Sequence, residues 1–145
     1  MNRPDGRRPH LTGSLSRQLI GAAEALRGCL ERAVEPHGLS LPKLEVLNAL
    51  VEAGEALPLG VLTERLGCAK SNVTQLMDRL EADGLVRRVP EPHDRRSILA
   101  EVTELGRERC AAGAQSVAEA EAAFLARLPA ADRQRLAAML GRFQG

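Results

Sequence analysis

Between Leu59 and Val102 the chain sets down, in immediate succession, two segments with helical apolar spacing and two short alternating runs around a polar tip. That order leaves few ways to fold. In LGVLTERLG, Leu59, Leu62 and Leu66 make one stripe and Gly67 ends the helix. After a turn of a few residues, AKSNVTQLMDRLEADGLV buries Val73, Leu76, Met77 and Leu80 and keeps Lys70, Ser71, Asn72, Thr74 and Gln75 on the opposite side of its first turns. Gly84 closes it. Residues 85–89 and 97–102 are too short for helices but suit two paired strands, joined by the tip from Pro90 to Arg96. Helix, tight turn, polar-faced helix and hairpin together predict a winged helix-turn-helix.

Long helices flank this unit. Leu19, Ala22, Ala23, Leu26, Leu30, Ala33 and Val34 recur at threes and fours from about Leu15 until Pro36 and Gly38 break the pattern. A second helix should begin at Ser40 as N-cap, with Pro42 in its first turn and Leu39 stapled to Leu44, and run to about Ala53. Thr103 can cap an alanine-rich helix from Glu104 to Leu128, ended by Pro129, and a last helix places Leu136, Leu140 and Phe143 on one face. The fold class is therefore mainly α with a small β-hairpin wing. Residues 1–13 form a disordered basic tail, 14–38 with 104–145 a helical region, and 39–103 the winged domain. Arg3, Arg7 and Arg8 of the tail suit either a plain extension or a phosphate-binding arm.

With 145 residues and a net charge of +1, the chain has no bulk field that would draw it to nucleic acid, so any such role must rest on where the charges sit. Aromatic content of 1%, with no Trp or Tyr, removes base-stacking platforms for single strands. No apolar run could cross a bilayer and MNRPDGRRPHLTGS is not a secretory signal, so a cytoplasmic location without membrane contact is the expectation. A catalytic reading lacks a glycine-rich phosphate loop, an HExxH or a nucleophile elbow, and no cofactor is expected.

The polar residues of the second helix suit duplex DNA. Asn72 and Gln75 can pair with adenine edges, Ser71 and Thr74 with base or phosphate, and Lys70 with guanine or backbone. The helix start adds amide groups and a partial positive charge. With that helix in the major groove, the hairpin can reach the neighbouring minor groove with Arg95 and Arg96, one of them oriented by Asp94. Arg87 and Arg88 serve the hairpin base or touch phosphate. Arg79 is a phosphate contact or a partner for Asp78 or Glu81.

The segment DRLEADGLVRR, the tip DRRS at 94–97 and the T-x-x-G from Thr103 to Gly106 resemble the multiple antibiotic resistance regulator (MarR) family of transcription factors. The resemblance implies an obligate homodimer built by intertwining the first helix with the last two, two winged motifs on a palindromic operator, and Arg96 as the minor-groove residue beside Asp94. It also implies repression relieved by a small-molecule effector in a crevice between dimer helices and DNA-binding lobe, here drawing on Leu26, Leu30, His37, Leu44 and Leu47. One departure is Ala69 at the N-cap of the recognition helix, where the family commonly has Ser or Thr. Loss of such a cap typically costs about 0.5–2 kcal/mol.

Other readings compete at single residues. Cys68 fits a small apolar residue inside the turn or a redox switch, and Cys29 and Cys110 on the long helices pose the same choice. Three unpaired cysteines without CxxC argue against a disulfide framework or thiolate zinc site. The family's peroxide sensors use tyrosines beside their thiol, and this chain has none. His10, His37 and His93 lack ligand spacing, with Glu24, Cys29 and Cys110 the only other contributors to a zinc-responsive variant. The rival at the level of function is a winged module that binds protein, against which the polar helix face and cationic tip both weigh.

Overall fold

The computed structural model describes residues 14–144, apart from the side chain of Arg95. The tail at 1–13 lies outside the described residues. Ser14 caps α1 (Leu15–Val34), its hydroxyl accepting from the Arg17 amide at 3.4 Å. Pro36 turns the chain through a short 3-10 segment, and Gly38 at φ 69° lets it leave. Ser40 then caps α2 (Leu41–Ala53), accepting from the Lys43 amide at 3.4 Å. Leu39 and Leu44 are both buried at that helix start, as the staple requires. Leu44, Val46, Leu47, Ala49 and Leu50 make α2 the centre of the core, with Leu62, Met77, Leu80 and Val86 packed into the same cluster.

α3 (Leu59–Leu66) ends at Gly67, φ 60°, and α4 (Lys70–Ala82) buries Val73, Met77 and Leu80. Before them lies a strand the sequence did not announce, β1 (Leu57–Pro58), pairing with Ala100 and Leu99. The hairpin is also longer than its alternation implies. β2 (Val86–Glu91) and β3 (Asp94–Val102) include most of the expected tip, and only Pro92 and His93 form the turn. The sheet order is β1-β3-β2, all antiparallel. Regular pairing runs from Val86↔Val102 to Pro90↔Ile98 and then jumps to Glu91↔Asp94, so residues 95–97 bulge from β3.

α5 (Glu104–Leu125) packs along α1 and α2, and α6 (Ala130–Gly141) closes the chain. α5 stops three residues before the expected Leu128. α6 stops before Phe143, which is 79% exposed and does not share a helical face with Leu136. The T-x-x-G motif acquires a physical meaning at the start of α5. Thr103 Oγ1 donates to the Gly84 carbonyl at 2.7 Å and accepts from the Gly106 amide at 3.0 Å, while the Thr103 amide donates to the Leu85 carbonyl at 3.0 Å. This staple fixes the end of the recognition helix, the start of the wing and the start of α5 to one another.

All three cysteines are free thiols. Cys68 is half-buried, donating to the Leu66 carbonyl at 3.4 Å, and Cys29 is half-buried near the Ala120 carbonyl. Cys110 is buried against Asn48 Oδ1 at 3.0 Å. Burial, then the nearby Glu52 carboxylate, pushes the Cys110 thiol above its ordinary value. A raised folded-state value favours folding below the unfolded thiol value, about 8.5, and the benefit fades as pH climbs through the folded value. Two results are expected: Cys110 reacts with iodoacetamide more slowly than Cys68 at pH 8, and Cys110→Ala flattens the alkaline fall in stability measured by urea unfolding.

Candidate nucleic-acid interface

α4 presents its first turns to solvent. Lys70, Ser71, Asn72 and Gln75 are exposed and make no side-chain hydrogen bond within the described residues, while Val73, Met77 and Leu80 anchor the opposite face. Thr74 differs from them. It is half-buried and its hydroxyl donates to the Lys70 carbonyl at 3.0 Å, which leaves it only acceptor capacity for a ligand. The N-cap is Ala69, with no side-chain bond to the first amides, and Ser71 does not replace it. The Asn72 amide donates to the Ala69 carbonyl at 3.0 Å, which leaves the uncapped Lys70 and Ser71 amides to meet an incoming phosphate.

At the wing tip, Asp94 Oδ1 accepts from the Arg96 backbone amide at 3.0 Å at the bulge, and among the described side chains it pairs with no guanidinium. Arg96 is exposed and makes no ion pair within the described residues. Arg95 stands beside it on β3. At the hairpin base, Arg87 Nε meets Glu101 Oε2 at 2.5 Å across the strands, as their register dictates. That bond raises the guanidinium and holds the Glu101 carboxyl below its ordinary range.

Arg88 turns the other way. Its Nη2 lies 2.5 Å from Asp78 Oδ1, its Nη1 pairs with Glu81 Oε2, and its backbone amide donates to Glu81 Oε1 at 3.2 Å. Asp78 first, then Glu81, raises this guanidinium against the cost of burial. The sequence offered Arg79 those two carboxylates, yet Arg88 takes both. Arg79 stays exposed at the rim of a 300 Å³ groove between α2 and α4, alongside Pro42, Cys68, Asn72, Gln75 and Leu76.

The five residues expected to share an effector crevice do not converge. Leu26 and Leu30 line a cavity of 340 Å³ between α1 and α2 with Ala23, Arg27, Leu41, Pro42 and Glu45. Leu44 and Leu47 belong to the core. His37 faces a separate 220 Å³ pocket with Asp83, Leu105 and Arg109, its Nε2 2.8 Å from Ser116 Oγ and its carbonyl accepting from Arg109 at 2.7 Å. Helical periodicity put these side chains on neighbouring faces but could not say which face meets solvent. Among the described residues, no group of three His, Cys, Asp or Glu side chains could hold a metal, and no helix is long and apolar enough to cross a membrane.

Comparison with known proteins agrees with this geometry. The model of the MarR family matches residues 37–97. The transcriptional activatory protein BadR of Rhodopseudomonas palustris is 36% identical over 99 residues, covering 67% of this chain and 57% of BadR. The chain spans about half the length of the curated relatives it matches. Among solved structures, Sco5413, a MarR family transcriptional regulator from Streptomyces coelicolor, is 28% identical, with 92% of each chain covered and a TM-score of 0.75. A mutant MarR from E. coli complexed with operator DNA shares the fold at 21% identity and a TM-score of 0.77, covering 92% of this chain and 96% of that one. Wing, staple and helix order, together with these likenesses, place the chain in the MarR family of winged-helix regulators.

Proposed function

We propose that this protein is a cytoplasmic transcriptional regulator that binds palindromic duplex DNA as a homodimer. The observation that carries the reading is the polar face of Lys70, Ser71, Asn72 and Gln75, exposed and without side-chain partners among the described residues, on a helix beside a wing whose Arg96 makes no ion pair among them. A polar surface without internal partners recruits hydrogen-bonding ligands, and helix and wing suit adjacent major and minor grooves. Thr74, Arg79 and Arg87 flank this surface as candidate phosphate contacts. The mutant MarR from E. coli that shares this fold is complexed with operator DNA, which supports duplex DNA as the partner. Leu15, Leu19 and Ile20 on α1 and Met139 and Leu140 on α6 are exposed apolar residues on both terminal helices, which supports pairing of those helices between two copies. A two-fold dimer then meets half-sites roughly 10 base pairs apart. It represses where that site overlaps a promoter.

The 340 Å³ cavity between α1 and α2 suits a small organic effector, with aliphatic walls and Arg27 and Glu45 at its edge. Bound there, a molecule releases the operator if it prefers a dimer whose recognition helices are wrongly spaced. The test of the reading is a gel-shift titration on the DNA upstream of the protein's own gene at several salt concentrations. Log affinity should fall linearly with log salt. Arg96→Ala should weaken binding roughly tenfold or more while the dimer mass in sedimentation stays unchanged. Equal affinity for the duplex and for heparin refutes sequence-specific binding.

A further inference from the structure

Arg88 stands apart from the other described arginines of the wing. Its side chain is 23% exposed against 65% for Arg87, and it faces α4. Asp78 and Glu81, three residues apart on one face of that helix, take its two terminal nitrogens, and Glu81 also takes its backbone amide. The strand is thereby tied to the recognition helix through both side chain and main chain. The tie sits two residues before the register of the hairpin breaks at Pro90 and Glu91. Beyond that break the tip bulges and carries Arg96, whose side chain makes no ion pair among the described residues.

We propose that Arg88, with Asp78 and Glu81, is a positioning group that sets the direction of the wing relative to the recognition helix, and that it does not itself touch DNA. This rests on the DNA-binding reading above and specifies which residues give that site its shape. Among the described side chains the guanidinium is the last ion-paired anchor on β2 before the tip, so the distance from α4 to Arg96 is measured from it. Moving Arg88 outward to a phosphate would strip two carboxylates of their partner beside a polyanion, an arrangement that opposes binding.

The two roles predict opposite signs. The probe is the duplex that the wild-type dimer recovers from a random-sequence pool. If Arg88 positions the wing, Asp78→Asn and Glu81→Gln weaken binding on the order of tenfold. Arg88→Lys, which keeps the charge but loses the fork, does the same. In the Asp78→Asn, Glu81→Gln background Arg96→Ala then costs little further, whereas Asn72→Ala still costs its full amount. Both carboxylates are partly exposed and the replacements are isosteric, so the fold is retained. Tighter binding after either carboxylate is neutralised, full affinity in Arg88→Lys, or strictly additive losses with Arg96→Ala overturns the inference. A wild-type protein that recovers no duplex defeats the DNA-binding reading first, and this one with it.

Discussion

Replacing Gly106 with alanine should unfold the protein roughly 6–12 °C earlier than wild type, on a loss of about 3 kcal/mol and about 2–4 °C per kcal/mol at this size. A Cβ at this position would stand 2.0 Å from the Leu85 carbonyl oxygen and 2.8 Å from Val102 Cγ2. Neither neighbour can yield cheaply. The Leu85 carbonyl accepts from Thr103, and Val102 is paired with Val86 in the sheet. Relief therefore requires α5 to lift away from the wing base, which breaks the Thr103 staple. Gly60→Ala is the control, because nothing lies within 4 Å of its Cβ and its φ is negative, so stability should hold or rise slightly. Scanning calorimetry at matched protein concentration separates the two, since the proposed dimerisation would make the midpoint concentration-dependent. Equal midpoints for Gly106→Ala and wild type would show that the close approach is absent.

Asn72→Ala and Gln75→Ala should each remove discrimination at a defined base position. A good bidentate contact is worth about 1–3 kcal/mol, and the proposed two-fold dimer would make it twice, so the loss should be roughly 30-fold at the least on the preferred duplex. The effect on non-specific DNA should be small, and the salt dependence should keep its slope because no phosphate contact is lost. Both side chains are exposed and unpartnered within the described residues, so truncation leaves no orphaned group inside the protein. Binding to a panel of duplexes, each altered at one base pair, reads this directly. A uniform loss across the panel would move these residues to the backbone.

The helices were legible because their ends carry chemistry that acts locally. Ser40 and Thr103 cap, Gly67 and Gly84 exit with positive φ, and the apolar spacing fixes the buried face. What escaped depends on distant partners. β1 is two residues long, one of them proline, and exists only because Leu99 and Ala100 lie alongside. Alanine and leucine continue past Leu125 with good helix propensity, so composition could not place the end of α5. At the site, the exposed face of α4 followed from periodicity, but ion pairing did not. Asp78 and Glu81 neighbour Arg79 in sequence, while the side chain that meets them comes from ten and seven residues away, on a strand. Asp94 likewise takes a main-chain amide, that of Arg96, a bond set by the bulge and not by side-chain charge.

In the sheet order β1-β3-β2 the longer outer strand is β2, and an outer strand offers spare main-chain donors to any other chain that passes. Here Pro90 has no donor to offer, Glu81 occupies that of Arg88, and regular pairing stops at a bulge, a feature that generally bends and twists a strand end. The finger can therefore be long without serving as a template for strand addition. Glu81→Ala, beyond any change in recognition, should expose that edge and lower the concentration at which the protein begins to associate into fibrils.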